Sequence, residues 1–218
     1  RASISSIPDG ESRVAVIGMA CRFPMAENIG QFWHNLENGV DSVTEIPGSR
    51  FDVNAYFDPD EKKAGKMSTR WGAFIDDFDC FDASFFNIHR KAAERIDPQH
   101  RLFLEQVWTA FEHAGYSKKD LSAFKTGVFA GLSSQEYTWH ILNGNGALTH
   151  FDGLGTARSM MANRISHFFG LTGPSMSVDT ACASSLTAVH LACRSILGGE
   201  CDLAVAGGAS LVLDPASF

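Results

Sequence analysis

The chain has 218 residues and a formal net charge of −7, from 18 Lys and Arg against 25 Asp and Glu. Hydrophobic residues make up 44% and charged residues 20%, which suits a packed core and argues against disorder. The acidic balance speaks against general nucleic-acid binding, and no run of 18 apolar residues marks a membrane span.

Residues 1–12 are polar, Ser-rich and hold Pro8 and Gly10, so they read as a linker or tail without the apolar stretch of a signal peptide. The run Val14-Ala-Val-Ile-Gly18 reads as a buried strand. Ile29, Phe32, Trp33 and Leu36 have helical spacing, closed by Gly39. Residues 40–88 are rich in Asp, Pro, Gly and Phe. They read as loops and short elements pinned by the aromatic anchors Phe74, Phe78, Phe81, Phe85 and Phe86. Asp97 is the natural N-cap of a helix that takes Pro98 at its first position and runs to about His113, with Gly115 behind it.

Farther along, Thr126-Gly-Val-Phe-Ala-Gly131 reads as a buried strand. A helix over 155–169 carries Met160, Met161, Ile165 and Phe168 near one face. A strand follows from Ser175 to Asp179, then a helix over 183–197, then a last buried strand at Leu203-Ala-Val-Ala206. Short apolar strands alternating with helices predict an α/β fold, a buried sheet with helices on both faces.

Five cysteines stand at positions 21, 80, 182, 193 and 201, with no C-x-x-C pair, so neither a zinc ribbon nor a redox dithiol is indicated. Reduced thiols in a cytosolic protein fit this usage. Cys182 stands apart from the other four. It falls where a strand turns sharply into a helix, among Ala181, Ala183, Ser184 and Ser185. The positive end of the helix and its unpaired N–H groups favour thiolate over thiol. The small neighbours leave room for a bulky substrate, and the Cys182 N–H is placed to help hold an oxyanion. The alternative is that Cys182 is a small buried core residue. The helix behind it carries Leu186, Val189, Cys193, Ile196 and Leu197 at helical spacing, so it is amphipathic or fully buried. His190 lies about 12 Å along the helix axis from Cys182, too far for a base, and reads as a packed core histidine. No G-x-G-x-x-G run, complete nucleophile elbow or H-E-x-x-H motif is present.

Asp179-Thr-Ala-Cys-Ala-Ser-Ser185 resembles the active-site motif of β-ketoacyl synthases, in particular the ketosynthase domains of polyketide synthases. Further landmarks follow in the family's order. They are Val16-Ile-Gly-Met-Ala-Cys-Arg-Phe-Pro24, Phe81-Asp-Ala-Ser-Phe-Phe86, Asp97-Pro-Gln-His-Arg-Leu102, Gly127-Val-Phe-Ala-Gly131, Ala162-Asn-Arg-Ile-Ser166 and Cys201-Asp-Leu-Ala-Val-Ala-Gly-Gly208. The resemblance implies a thiolase-like fold in α-β-α-β-α layers, of which residues 13–218 are about the first half. It implies that Cys182 accepts an acyl group from the phosphopantetheine arm of an acyl carrier protein. A malonyl-type extender then loses carbon dioxide and attacks that acyl group. No metal or bound cofactor is implied.

The resemblance also implies a homodimer pairing through the strand from Ser175 to Asp179, and neighbouring polyketide synthase domains as partners. It suggests a pocket wall from the loop 132–140, including Gln135, together with Met160 and Met161. Two departures stand out. The family's two catalytic histidines lie in motifs like E-A-H-G-T-G-T and N-x-G-H, and neither occurs here. Where relatives usually read Gly-Ile-Ser-Pro-Arg-Glu-Ala, this chain has Asn87-Ile-His-Arg-Lys-Ala-Ala93. The alternatives are a non-elongating domain that serves as dimer scaffold or gate, and a fatty-acid synthase ketosynthase. Because Phe218 falls soon after a core strand, the 218 residues alone are expected to be inactive and to expose a large apolar face.

Overall fold

The computed structural model describes residues 13–60, 62–134, 136–143 and 148–218. The tail reading of 1–12 and the pocket residue Gln135 lie outside the described residues.

The centre of the fold is a three-stranded parallel sheet made of β3 (Thr126–Gly131), β4 (Ser175–Val178) and β5 (Leu203–Gly208), in the order β4-β3-β5. A two-stranded antiparallel ribbon, β1 (Thr44–Glu45) with β2 (Trp71–Gly72), lies apart from it. The helices are α1 (Ile29–Asn38), α2 (Val53–Tyr56), α3 (Arg90–Ala93), α4 (Pro98–His113), α5 (Lys118–Leu121), α6 (Glu136–Asn143), α7 (His150–Thr156), α8 (Ser159–Phe169) and α9 (Ser184–Leu197). A short 3-10 turn covers Pro215–Ser217.

β3 is buried along its whole length, as a strand flanked by two others and covered on both faces must be. Its side chains alternate between two cores. Val128 and Ala130 face Phe103, Leu104, Val107 and Phe111 of α4 and Met161, Ile165 and Phe169 of α8. Phe129 faces the other way, against Ala188 and Ala192 of α9. The result is the expected α/β layering, with α4 and α8 on one face and α9 on the other.

α4 forms as its sequence dictates. The Asp97 carboxylate accepts from Gln99 N at 2.8 Å and Pro98 takes the first turn. The polar residues of that first turn are buried and tied to distant segments. Gln99 Oε1 accepts from Leu211 N at 3.1 Å, and Arg101 Nη1 donates to the Asp79 carbonyl at 3.0 Å. Burial pushes the Asp97 carboxyl up to about 6, although its bonds to Gln99 pull the other way. His100 is 1% exposed, and burial, helped by the Arg164 charge, holds it down to about 3, so it is neutral at pH 7.

Several expectations are corrected. Residues 14–18 form no strand, and Val16 is 78% exposed. The segment runs past the end of α4 instead. Gly18 fits close to the Ala110 carbonyl and Ala114, and Met19 N donates to His113 Nδ1 at 3.1 Å. No strand edge among the described residues pairs with it. The helix expected over 155–169 is two helices, with Ala157 extended between α7 and α8. The break coincides with a close approach. A side chain at Gly155 would sit 2.0 Å from the Arg95 carbonyl, and Gly155 O accepts from Asp97 N at 3.0 Å. β5 is an edge strand and only half-buried. Asn87 has φ +52°, a left-handed conformation that Asn tolerates better than most residues.

Candidate active site

The three central strands end level with one another. Gly131 pairs with Val178 on one side and Gly208 on the other. In open α/β sheets this carboxyl edge is where chemistry is placed. The chain leaves β4 at Val178 and enters α9 at Ser184. Five residues, Asp179-Thr-Ala-Cys-Ala183, make the turn, with Cys182 near its end.

The turn is tight and stapled. Ala181, directly before Cys182, has φ +52°, the left-handed region that costs a residue with a Cβ about 1–2 kcal/mol. Local hydrogen bonds hold that conformation. Asp179 Oδ1 accepts from Ala181 N at 3.1 Å. The buried Ser184 hydroxyl donates to Ala181 O at 2.7 Å and accepts from Thr180 N at 2.9 Å. The Thr180 and Thr187 hydroxyls meet at 2.9 Å. Strain held by surrounding bonds is a mark of functional turns. Cys182 itself is a free, exposed thiol. The alternative of a buried core cysteine does not hold for it.

The helix behind the thiol is amphipathic with its faces reversed from expectation. α9 buries Ser184, Ala188, Ala192 and Ser195, the small residues, against the sheet. Leu186 is 75% exposed, and Val189 and Leu197 are exposed as well. His190 is also exposed and is not a core histidine. The reason is the closeness of α9 to the sheet. A Cβ at Gly131 would lie 2.8 Å from backbone atoms of Ser184 and Ser185, and one at Gly208 would lie 3.2 Å from Ser185 Cβ. On the α9 side only small residues fit at that distance, and Phe129 of β3 packs against Ala188 and Ala192. Gly131, Gly208 and the small stripe thus set where the N-terminus of α9, and the thiol ahead of it, sits.

A second layer reaches the turn from α8. Arg158, which precedes α8, pairs with Asp179 through Nη1 and donates from Nη2 to the Ser133 carbonyl at 3.0 Å. The Ser177 hydroxyl donates to Arg158 O at 2.7 Å. Arg158 carried no local signal in the sequence as a support, because 21 residues separate it from Asp179. Ser184 was visible only as a small neighbour of the thiol.

The residues expected to shape a pocket differ in burial. Met161 is 1% exposed and packs in the core with Ile165 and Phe169. Met160 is half-buried. The stretch 132–140 is partly the helix α6. Ser133, Ser134, Glu136 and Trp139 line an open cleft of about 440 Å³ with Asn143, Asp214, Ala216 and Ser217, a lining that includes neither Cys182 nor the two methionines. Glu136 is occupied there, accepting from Leu213 N at 2.5 Å and Asp214 N at 2.7 Å. Among the described residues no cluster of three or more His, Cys, Asp or Glu could hold a metal. No helix among them is long and apolar enough to cross a membrane.

Comparison with known proteins gives a consistent picture. The family model described as the N-terminal domain of β-ketoacyl synthase matches residues 11–218. Polyketide synthase ThaG of Burkholderia thailandensis is 48% identical over 94% of this chain, which spans 4% of that protein. A mycocerosic acid synthase-like polyketide synthase of Mycolicibacterium smegmatis is 46% identical over 93% of the chain and 10% of its own length. Among solved structures, an oxazolomycin ketosynthase domain of Streptomyces albus superposes with a TM-score of 0.86 at 43% identity, over 93% of this chain and 35% of that one. The ketosynthase from module 6 of the bacillaene synthase of Bacillus subtilis superposes at 0.81 with 39% identity, over 93% and 32%. The chain therefore spans about a third of the solved ketosynthases it matches and a small part of the curated proteins.

Proposed function

The chain belongs to the β-ketoacyl synthases, and from that premise we propose that it is the nucleophile-bearing part of a polyketide synthase ketosynthase, with Cys182 as the nucleophile. The observation that carries this reading is the exposed thiol on a strained, hydrogen-bonded turn at the carboxyl edge of the sheet. The Cys182 thiolate attacks the thioester carbonyl of an acyl group carried on the phosphopantetheine arm of an acyl carrier protein. The bond to the pantetheine sulfur breaks, that sulfur leaves as thiolate and takes up the proton that Cys182 gave up, and the acyl group stays on Cys182. A malonyl-type extender on a second carrier then loses carbon dioxide. Its carbanion forms the new carbon–carbon bond at the acyl carbonyl, and Cys182 is released as thiolate. A nucleophile of this kind divides one difficult condensation into two easier steps.

The exposed apolar residues support a larger domain around this chain. Leu186, Val189 and Leu197 on α9 and Met176 on β4 form a surface suited to burial against further protein. β4 is the edge of the sheet, with no second partner among the described residues, which suits pairing with a second copy. Met160 and Gln135 remain candidates for shaping the acyl pocket. The test is acylation by a soluble acyl thioester of a longer protein that contains this chain, read by intact mass and peptide mapping. An adduct on Cys182 that disappears in Cys182→Ala is the expected result. An unmodified Cys182 in a folded protein would rule the reading out.

A further inference from the structure

Of the hydrogen bonds that hold the Cys182 turn, the one from Ala181 N to Asp179 Oδ1 is itself tied to a distant side chain. Resting on the reading of Cys182 as nucleophile, we propose that Arg158 is a positioning residue for Cys182, acting through Asp179. The guanidinium adds a side-chain bridge beside the backbone bond from Leu132 N to the Val178 carbonyl at 3.1 Å, where β3 and β4 end. One prong pairs with Asp179 Oδ2, and the other binds the Ser133 carbonyl just past the end of β3 at 3.0 Å. The other carboxylate oxygen of Asp179 accepts from Ala181 N at 3.1 Å. Ala181 is the left-handed residue directly before Cys182. The Arg158 carbonyl is fixed in turn by the Ser177 hydroxyl of β4 at 2.7 Å.

The geometry suits arginine alone. A forked donor reaches a carboxylate and a carbonyl at once, and lysine has a single ammonium that cannot do both in one plane. The pair is about 39% and 37% exposed, so its worth lies in direction more than in strength. It orients Asp179, and Asp179 orients one amide. That amide belongs to the residue whose backbone aims the thiol. A nucleophile displaced by a fraction of an ångström loses rate while keeping its chemistry.

The experiment uses a longer protein that contains this chain, with Arg158→Met, Arg158→Lys, Asp179→Asn and the Arg158→Met/Asp179→Asn double variant. Single-turnover acylation of Cys182 is followed by intact mass across thioester concentrations. Arg158→Met is expected to slow the limiting rate about 10- to 100-fold, with the half-saturating concentration changed less than threefold. Arg158→Lys is expected to recover part of that loss. The double variant is expected to fall no further than the worse single variant, because both act on one bond chain. Amide hydrogen exchange at Ala181 needs no substrate and is expected to speed up in Arg158→Met. A wild-type rate and unchanged Ala181 exchange in Arg158→Met would overturn the proposal, as would losses that add in the double variant. Should the folded wild type take no acyl group on Cys182, the nucleophile reading fails, while the exchange at Ala181 still decides whether Arg158 holds the turn. Should Arg158→Met not fold, Asp179→Asn, which keeps an oxygen for Ala181 N, decides in its place.

Discussion

Replacing Gly131 with Ala tests whether the nearness of β3 to α9 places the thiol. The new Cβ would lie 2.8 Å from Ser184 C and from Ser185 N and 3.0 Å from Ser184 O. All three atoms are backbone, so no side chain can swing away. To restore an ordinary contact near 3.4 Å, the start of α9 must retreat by about 0.6 Å. Cys182 is two residues ahead of Ser184 and bound to it through Ala181, so it moves with the helix end. A misplacement of 1 Å costs about a hundredfold in rate, so roughly tenfold is expected here. Overpacking of this kind costs about 1–3 kcal/mol, and the backbone entropy gained on losing a glycine returns about 0.5–1 kcal/mol of that. The assay is single-turnover acylation of Cys182 alongside urea unfolding. Gly153→Ala is the control, since its Cβ meets nothing within 4 Å and it sits in α7. The control keeps the rate and gains a few tenths of a kcal/mol. Wild-type rate and stability in Gly131→Ala would refute the idea that this close approach sets the thiol.

Two further outcomes follow from the buried groups. His100 is held down to about 3 in the fold against an ordinary 6.5, so the stability it contributes at neutral pH is lost as pH falls from about 6.5 toward 3. Asp97 is raised to about 6 from 3.8, so its contribution is present at low pH and lost as pH rises through about 6. The two oppose each other between about pH 6 and 4. His100→Gln is therefore expected to make the protein more stable, relative to its own value at pH 6.5, as pH drops to 5, and Asp97→Asn less stable, each by about 1–2 kcal/mol in urea titrations. Identical pH slopes in both variants and the wild type would contradict the assignments. Ala192→Leu, which forces bulk between α9 and Phe129, is expected to cost about 1–3 kcal/mol in the same titration. A neutral result would mean that α9 does not sit tightly on the sheet.

Much of the fold was legible because the signals were local. Asp97 and Pro98 mark a helix start by capping chemistry alone, and the six residues of β3 can only be a covered strand. Residues 14–18 carry the same kind of apolar run, but a strand also needs a neighbour to bond, and that depends on tertiary placement. α9 misled for a different reason. Its large apolar residues and its small ones both recur at helical spacing, and ranking by hydrophobicity chose the large face. Space beside Gly131 and Gly208 decides for the small one. The thiol was legible from its turn. Its supports divide in two: Ser184 and Asp179 lie inside the motif, while Arg158 and Ser133 reach it only through folding.

The most direct test is mass spectrometry of a longer protein that contains this chain, exposed to a soluble acyl thioester. One acyl adduct is expected, mapped to Cys182, absent in Cys182→Ala and slowed in Gly131→Ala. An adduct on another cysteine, or none on Cys182 while the protein is folded, would contradict it.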